Sequence, residues 1–262
     1  MRPEATWAER LLLALSRRPD TGDYSTPHDQ RTLDNALSLL TVVFPEFLTT
    51  IRGKDILDYG CGSGLQAVAM GRSGARSVFG LETNPQAFAA ARELAAQLGL
   101  ETHVEFGHLL AHEQGRRFDL VISQNSMEHF PDPSCEIGAM KSFVRATGRI
   151  MITFSCPWYA PYGSHMHFFT RVPWVNLLFT EKTVMGVRSH FRKDGASTYE
   201  AVEGGLNKMS IAKFEKLVRV HDLKVDWHRY ECVKRLDWFG RIPLLRELFI
   251  NRVSSVLATG GK

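Results

Sequence analysis

The chain has 262 residues, long enough for one large α/β domain with a decorated lid, and its 44% hydrophobic and 23% charged residues argue against global disorder. The formal charge of +4 comes from scattered Lys and Arg rather than a basic stripe with interleaved aromatics, which argues against a nucleic-acid partner. Cys61, Cys135, Cys156 and Cys232 lie far apart with no Cys-x-x-Cys pair or secretory leader, so reduced thiols and a cytoplasmic location are expected, and no apolar run approaches the roughly 20 residues needed for stable membrane insertion.

Residues 1–52 read as an N-terminal helical cap: one helix from Glu4 to Arg17, a break through Pro19, Gly22 and Pro27, and a second helix from Asp29 to Phe44. The amphipathic stretch Trp7 to Leu15, followed by Arg17 and Arg18, is expected to pack its apolar face on the domain rather than rest on a membrane. After Gly53 the pattern changes to short apolar runs alternating with helical stretches, the signature of βαβ units and a parallel sheet. Strands are expected at Asp55 to Tyr59, Ser77 to Glu82, His103 to Phe106, Asp119 to Gln124 and Arg149 to Phe154, with helices at Leu65 to Arg72, Pro85 to Leu98 and Ser134 to Arg145.

From residue 156 to 208 the alternation stops, and a segment rich in aromatics, Pro, Gly and His reads as an irregular lid. Residues 209–262 complete the sheet, with a helix at Ser210 to Val220, a strand at Leu223 to Tyr230, a short helix near Pro243 to Leu248 and a last strand at Ile250 to Leu257. The expected architecture is an α/β, Rossmann-like three-layer sandwich with a mostly parallel sheet, its binding core spanning residues 53–155, plus the helical extension and the inserted lid.

The sharpest motif is Asp58-Tyr59-Gly60-Cys61-Gly62-Ser63-Gly64, where the first strand turns into a helix. Glycines there allow a tight turn and close approach of backbone to ligand, and the N–H groups at the helix start face the bound molecule. The second strand ends in Glu82, about 20 residues on, where a carboxylate can accept from two ribose hydroxyls. Asp58 before the first glycine would repel a pyrophosphate and suits a cation, so the residues favour S-adenosyl-L-methionine, which carries an ammonium and a sulfonium, over a dinucleotide.

The runs Asp55 to Gly64, Gly80 to Glu82 and Phe118 to Ser123 resemble class I S-adenosylmethionine-dependent methyltransferases over roughly residues 53 to 155. The resemblance implies that Gly60, Gly62 and Gly64, with Cys61, line the methionine end of the cofactor, that Glu82 and the adjoining Thr83 hold the ribose, and that Asp58 orients the loop. Gln124 at the fourth strand's exit is placed with them. The family's acid after the third strand is replaced here by His108, which with Leu109 is expected to cover the adenine by stacking or through a backbone N–H.

The fourth strand leads into Gln124-Asn-Ser-Met-Glu-His-Phe130, and Glu128-His129 resembles the pair found in ubiquinone-type O-methyltransferases and small-molecule relatives. Asn125 stands where some relatives carry a further acid, so no required metal is expected. Glu128 and His129 are candidates for catalysis or, equally, a cap and a structural histidine. In the lid, Pro157 to Phe169 supplies an aromatic set with His165 and His167. These histidines are further candidate bases, the alternative being hydrogen bonds and packing within the lid itself. Tyr24, His28 or Arg31 could close the pocket. The expectation is methyl transfer to an oxygen or nitrogen of a small molecule. A non-catalytic binding protein and a nicotinamide-dependent oxidoreductase are the alternatives.

Overall fold

The computed structural model describes residues 5–17, 32–108, 115–236, 238–243 and 245–260. The first helix, α1 (Trp7–Ala14), is shorter than expected because Thr6 and Glu9 form a reciprocal capping box that fixes its start. Its apolar face is only half covered: Leu12 is buried, whereas Trp7 is 78% exposed and Leu11 and Leu15 also face solvent. The expected helix from Asp29 to Phe44, whose first three residues lie outside the described ones, is corrected from Thr32 on. A 3-10 turn at Leu33–Asn35, held by the Asn35 side chain reaching back to the Thr32 N–H, precedes α2 (Ser38–Val43) and α3 (Phe47–Ile51). Phe44 ends α2 in extended geometry, as the residue before Pro45 must.

The core follows as β1 (Asp55–Tyr59), α4 (Leu65–Arg72), β2 (Ser77–Leu81), α5 (Pro85–Gln97), β3 (Val104–Gly107), β4 (Phe118–Gln124), α6 (Pro133–Phe143) and β5 (Val144–Ser155). Pro85 and Pro133 both open helices whose first N–H groups are capped by Asn84 and Asp132. The helix expected to run to Arg145 stops at Phe143, because Val144 pairs with Phe118 and begins β5 five residues early.

After β5 come α7 (Val175–Leu178), α8 (Glu181–Arg188), α9 (Ile211–Val220), β6 (Leu223–Cys232), α10 (Arg246–Phe249) and β7 (Ile250–Thr259). The lid is therefore not irregular throughout: Thr180 caps α8, a helix not expected from the sequence, and α8 packs on α1. Phe169, Met166, Val184 and Tyr199 close with Leu12 into a separate small core, and the chain after α1 is pinned to the lid by the bond from the Arg17 N–H to the Phe169 carbonyl. Most of the lid's large side chains serve this packing.

Among the described residues the sheet has seven strands in the order β3-β2-β1-β4-β5-β7-β6, parallel except for β7, which runs antiparallel between β5 and β6. Alternate residues serve opposite faces: Leu57, Val121, Ile150 and Ile152 pack on α6 and α9, whereas Ile56, Leu120, Ile122 and Met151 pack under α2, α3 and α4. The chain runs outward from β1 to β3, then returns to the other side of β1 to form β4 and β5. The crevice where that order reverses, between the exits of β1 and β4, is where an open α/β sheet holds its ligand.

Candidate active site

The glycine loop leaves β1 with its backbone tied to β2, since the N–H groups of Gly60 and Cys61 both donate to the Leu81 carbonyl, at 2.9 and 3.1 Å. Gly60 (φ +77°) sits so close to the β4 exit that a Cβ would come 2.9 Å from Ser126 Oγ. Gly64 (φ +79°) starts α4, and a Cβ there would meet Ala91 and Phe106 at 2.8 Å. Neither position tolerates a side chain without moving the loop.

Glu82, just beyond β2, folds its carboxylate under this loop. One oxygen accepts from the Gly62 N–H and the other from the Asn84 N–H, each at 2.8 Å. A carboxylate offers about four lone-pair sites, so both oxygens can still accept from a ligand. Asp58 is buried below the loop, where it accepts from the Gln66 amide at 2.7 Å and secures the start of α4. Cys61 is buried beside it; burial, and then the charges of Asp58 and Glu82, push its thiol pKa up, so it is an inert wall. His108 bonds the Glu82 carbonyl through Nδ1 at 2.9 Å, and its ring lies 5.3 Å from that of Phe88. Leu109, Tyr24, His28 and Arg31 fall outside the described residues.

A cleft of about 470 Å³ opens above the switch point. One wall is Gly60, Leu81, Glu82, Thr83, Asn84 and Ala87; the other is Asn125, Ser126, His129, Phe130 and Pro131, with Tyr59, Glu136 and Gly204 completing it. Its size lies within the range of small-molecule sites, roughly 300–1,000 Å³. Asn125 has a positive φ of +52°, an uncommon state for a residue other than glycine, and it turns the chain sharply into the β4 exit loop. Gln124 lies beneath that loop, buried, outside the cleft lining.

His129 reaches the cleft on this loop. Its Nδ1 lies 2.8 Å from the Gly205 carbonyl. A carbonyl only accepts, so Nδ1 carries the proton and the lone pair of the neutral ring sits on Nε2. The His165 ring stands edge-on behind it, 5.6 Å between centroids. Burial, followed by the neighbouring charges of His129 and His167, pushes the His165 pKa down to about 4. His167 is exposed, edge-on to Tyr162 at 6.3 Å. Neither His165 nor His167 is among the residues that line the cleft, because the lid turns inward to fill its own core.

Glu128 is 4% exposed, and its burial drives the carboxyl pKa upward while the His129 charge pulls it back; Oε2 has no hydrogen-bond partner. Among the described residues no three His, Cys, Asp or Glu side chains converge into a metal-binding group. Sequence reasoning did not single out Tyr59, Glu136 or Gly204. The Gly204-Gly205 dipeptide was the one available signal, marking a turn with two positive φ values that delivers the carbonyl to His129.

A family model for the methyltransferase domain matches residues 52–201. The chain is 32% identical over 139 residues to the ubiquinone biosynthesis O-methyltransferase of Neisseria meningitidis serogroup C, a match covering 52% of this chain and 54% of that protein. The corresponding enzyme of Acinetobacter baylyi is 34% identical over 107 residues, covering 39% and 44%. The chain thus spans about half the length of the curated relatives it matches.

In fold, it is similar to an S-adenosylmethionine-dependent methyltransferase from Clostridium acetobutylicum (TM-score 0.55, 11% identity, covering 88% of this chain and 94% of that one). It is also similar to the magnesium protoporphyrin IX methyltransferase of Synechocystis (TM-score 0.53, 15% identity, covering 87% and 81%). The glycine loop, its acidic partner and every lining residue of the switch-point cleft except Gly204 lie inside the matched span, and the chain belongs to the methyltransferase domain family.

Proposed function

We propose that the protein transfers a methyl group from S-adenosylmethionine to an oxygen or nitrogen of a small-molecule acceptor. The observation that carries this reading is the Glu82 carboxylate folded onto the Gly62 N–H at one wall of a cleft whose other wall holds His129. The residues fit the cofactor. The loop is bare of side chains where backbone must approach a ligand, Glu82 keeps lone pairs for two ribose hydroxyls, and among the described residues no Lys or Arg lines the cleft to repel a cation. The names of the relatives support an oxygen acceptor.

Glu82, with Thr83 and Asn84, would hold the ribose, and the backbone of Gly60 to Gly64 the methionine end. When bound, the cofactor supplies a methyl group already activated by its sulfonium. The chain's own work is then alignment, exclusion of water and removal of one proton. His129 is the group that removes the proton, because the Gly205 carbonyl fixes its tautomer and leaves Nε2 to accept from an attacking hydroxyl or amine. Phe130 and Pro131 give the acceptor an apolar wall. Calorimetry of the full chain with S-adenosylhomocysteine and with NAD tests the reading. Binding of the former alone, and label passing from methyl-labelled donor to an acceptor, is the expected result; NAD binding alone would overturn it in favour of an oxidoreductase.

A further inference from the structure

The charge on the cleft walls bears on the acceptor itself. In a chain of net charge +4, the charged side chains that line this cleft among the described residues are Glu82, Glu136 and, when protonated, His129. Both Glu82 oxygens already accept backbone N–H groups. Glu136 is placed differently. It stands in the first turn of α6, half-buried, and one of its oxygens accepts from the Tyr59 hydroxyl.

That bond fixes the carboxylate in the cleft wall between the end of β1 and the β4 exit loop. Beside it lie the rings of Tyr59 and Phe130, packed edge to face at 5.7 Å. A fixed carboxylate next to aromatic and apolar walls attracts an ammonium group attached to an apolar body and repels a carboxylate or phosphate, since charge, ring quadrupole and desolvation act in the same direction.

We propose that the acceptor carries a cationic amine on an apolar body, and that Glu136 is the carboxylate that selects it. The proposal rests on the methyl-transfer reading of the same cleft. Tyr59 is a positioning residue: its hydroxyl orients Glu136 and its ring flanks the amine.

Three catechols of matched shape serve as probes: dopamine, its neutral analogue ethylcatechol and its carboxylate analogue dihydroxyphenylpropionate. Each is titrated by calorimetry into the full chain loaded with S-adenosylhomocysteine. Dopamine should bind at least about tenfold tighter than the propionate, with ethylcatechol between them. Glu136→Gln, whose amide oxygen still accepts from Tyr59, should reduce that ratio to within about twofold while leaving S-adenosylhomocysteine affinity unchanged. Tyr59→Phe keeps the charge but releases the carboxylate, so it should narrow the ratio to a value between wild type and Glu136→Gln, which separates the charge from its positioning.

An equal or reversed preference, absence of dopamine binding, or a ratio unchanged in Glu136→Gln would overturn the proposal. So would a Glu136→Gln variant that weakens S-adenosylhomocysteine and leaves the ratio intact, since that result assigns Glu136 to the cofactor. If S-adenosylhomocysteine fails to bind at all, it is the cofactor reading that falls, and the same three titrations on the unloaded chain still decide the charge preference.

Discussion

One wall of the cleft and the shell of residues behind its opposite wall satisfy their polar groups in different ways. On the β1–β2 side, the Glu82 oxygens and the Asn84 side chain all accept backbone N–H groups, so the wall is complete before any ligand arrives. Around the β4 exit and the lid turn, by contrast, Glu128 Oε2, Ser164 Oγ, His165 Nε2 and Gln124 Oε1 are buried with no hydrogen-bond partner. Buried polar groups left unpaired cost roughly 1–3 kcal/mol each. The Glu82 wall is thus held through backbone donors, while the shell behind the β4 exit loop, outside the cleft lining, keeps buried polar groups without partners.

The largest effect should come from breaking the satisfied wall. Glu82→Ala removes the acceptor for the Gly62 and Asn84 N–H groups together with the two proposed ribose hydrogen bonds, of roughly 1.5–3 kcal/mol each, so S-adenosylhomocysteine affinity should fall by about a hundredfold or more in calorimetry. Unchanged affinity would show that Glu82 serves only the loop.

The shell behind the β4 exit loop should reveal itself through pH. With the His165 pKa pushed down to about 4 from an ordinary 6.5, the unfolded chain binds a proton that the folded chain refuses between those values. Stability is therefore full above pH 6.5 and declines as pH falls toward 4, by about 3 kcal/mol from this group. Thermal melts across that window should show the decline in the wild type and a flatter profile in His165→Phe. Parallel profiles would mean that His165 is not shielded from water.

A sharper separation between the cleft and the lid comes from kinetics. Once an acceptor is known, His129→Ala should lower kcat by about a hundredfold while S-adenosylhomocysteine affinity stays within about threefold of wild type, and His167→Ala should leave kcat near wild type. Equal losses in both variants would point to a shared effect on the lid rather than to proton transfer at His129.

How much of this was legible in sequence follows the same division. Strands β1, β2 and β4, and the glycine loop with Glu82, are specified by contiguous residues: a β-branched and apolar run, glycines that must adopt positive φ, and an acid at a strand end. Local chemistry suffices there. The start of β5 was misread because Val144 to Gly148 joins the sheet through pairing with β4, a contact made across 26 residues from Phe118 to Val144 that the local pattern does not encode.

Glu136 and Gly204 were missed for the same reason. One reaches the cleft through the Tyr59 hydroxyl, and the other is carried there by the turn whose Gly205 carbonyl meets His129, 76 residues away in sequence. The lid histidines were drawn toward the site on composition alone, whereas the fold uses most of that segment's aromatic mass to bury Leu12 of α1.

The position of β7 carries a consequence for how the molecule assembles. β7 pairs along β5 from Ile150 to Ser155 and along β6 from Leu223 to Cys232, so the strand made last of the seven is inserted between two made earlier. During synthesis, α9 can dock and the lid can close its own small core while the outer edge of β5 still exposes unpaired N–H and C=O groups, the kind of edge that recruits other strands. Residues 250–259 bring Ile250, Val253 and Leu257 into complete burial and give β6 its partner in a single step. The interval before that strand emerges is when a nascent chain of this kind most needs protection from association, and a charge placed at Val253 or Leu257 would extend that exposure rather than merely loosen a finished core.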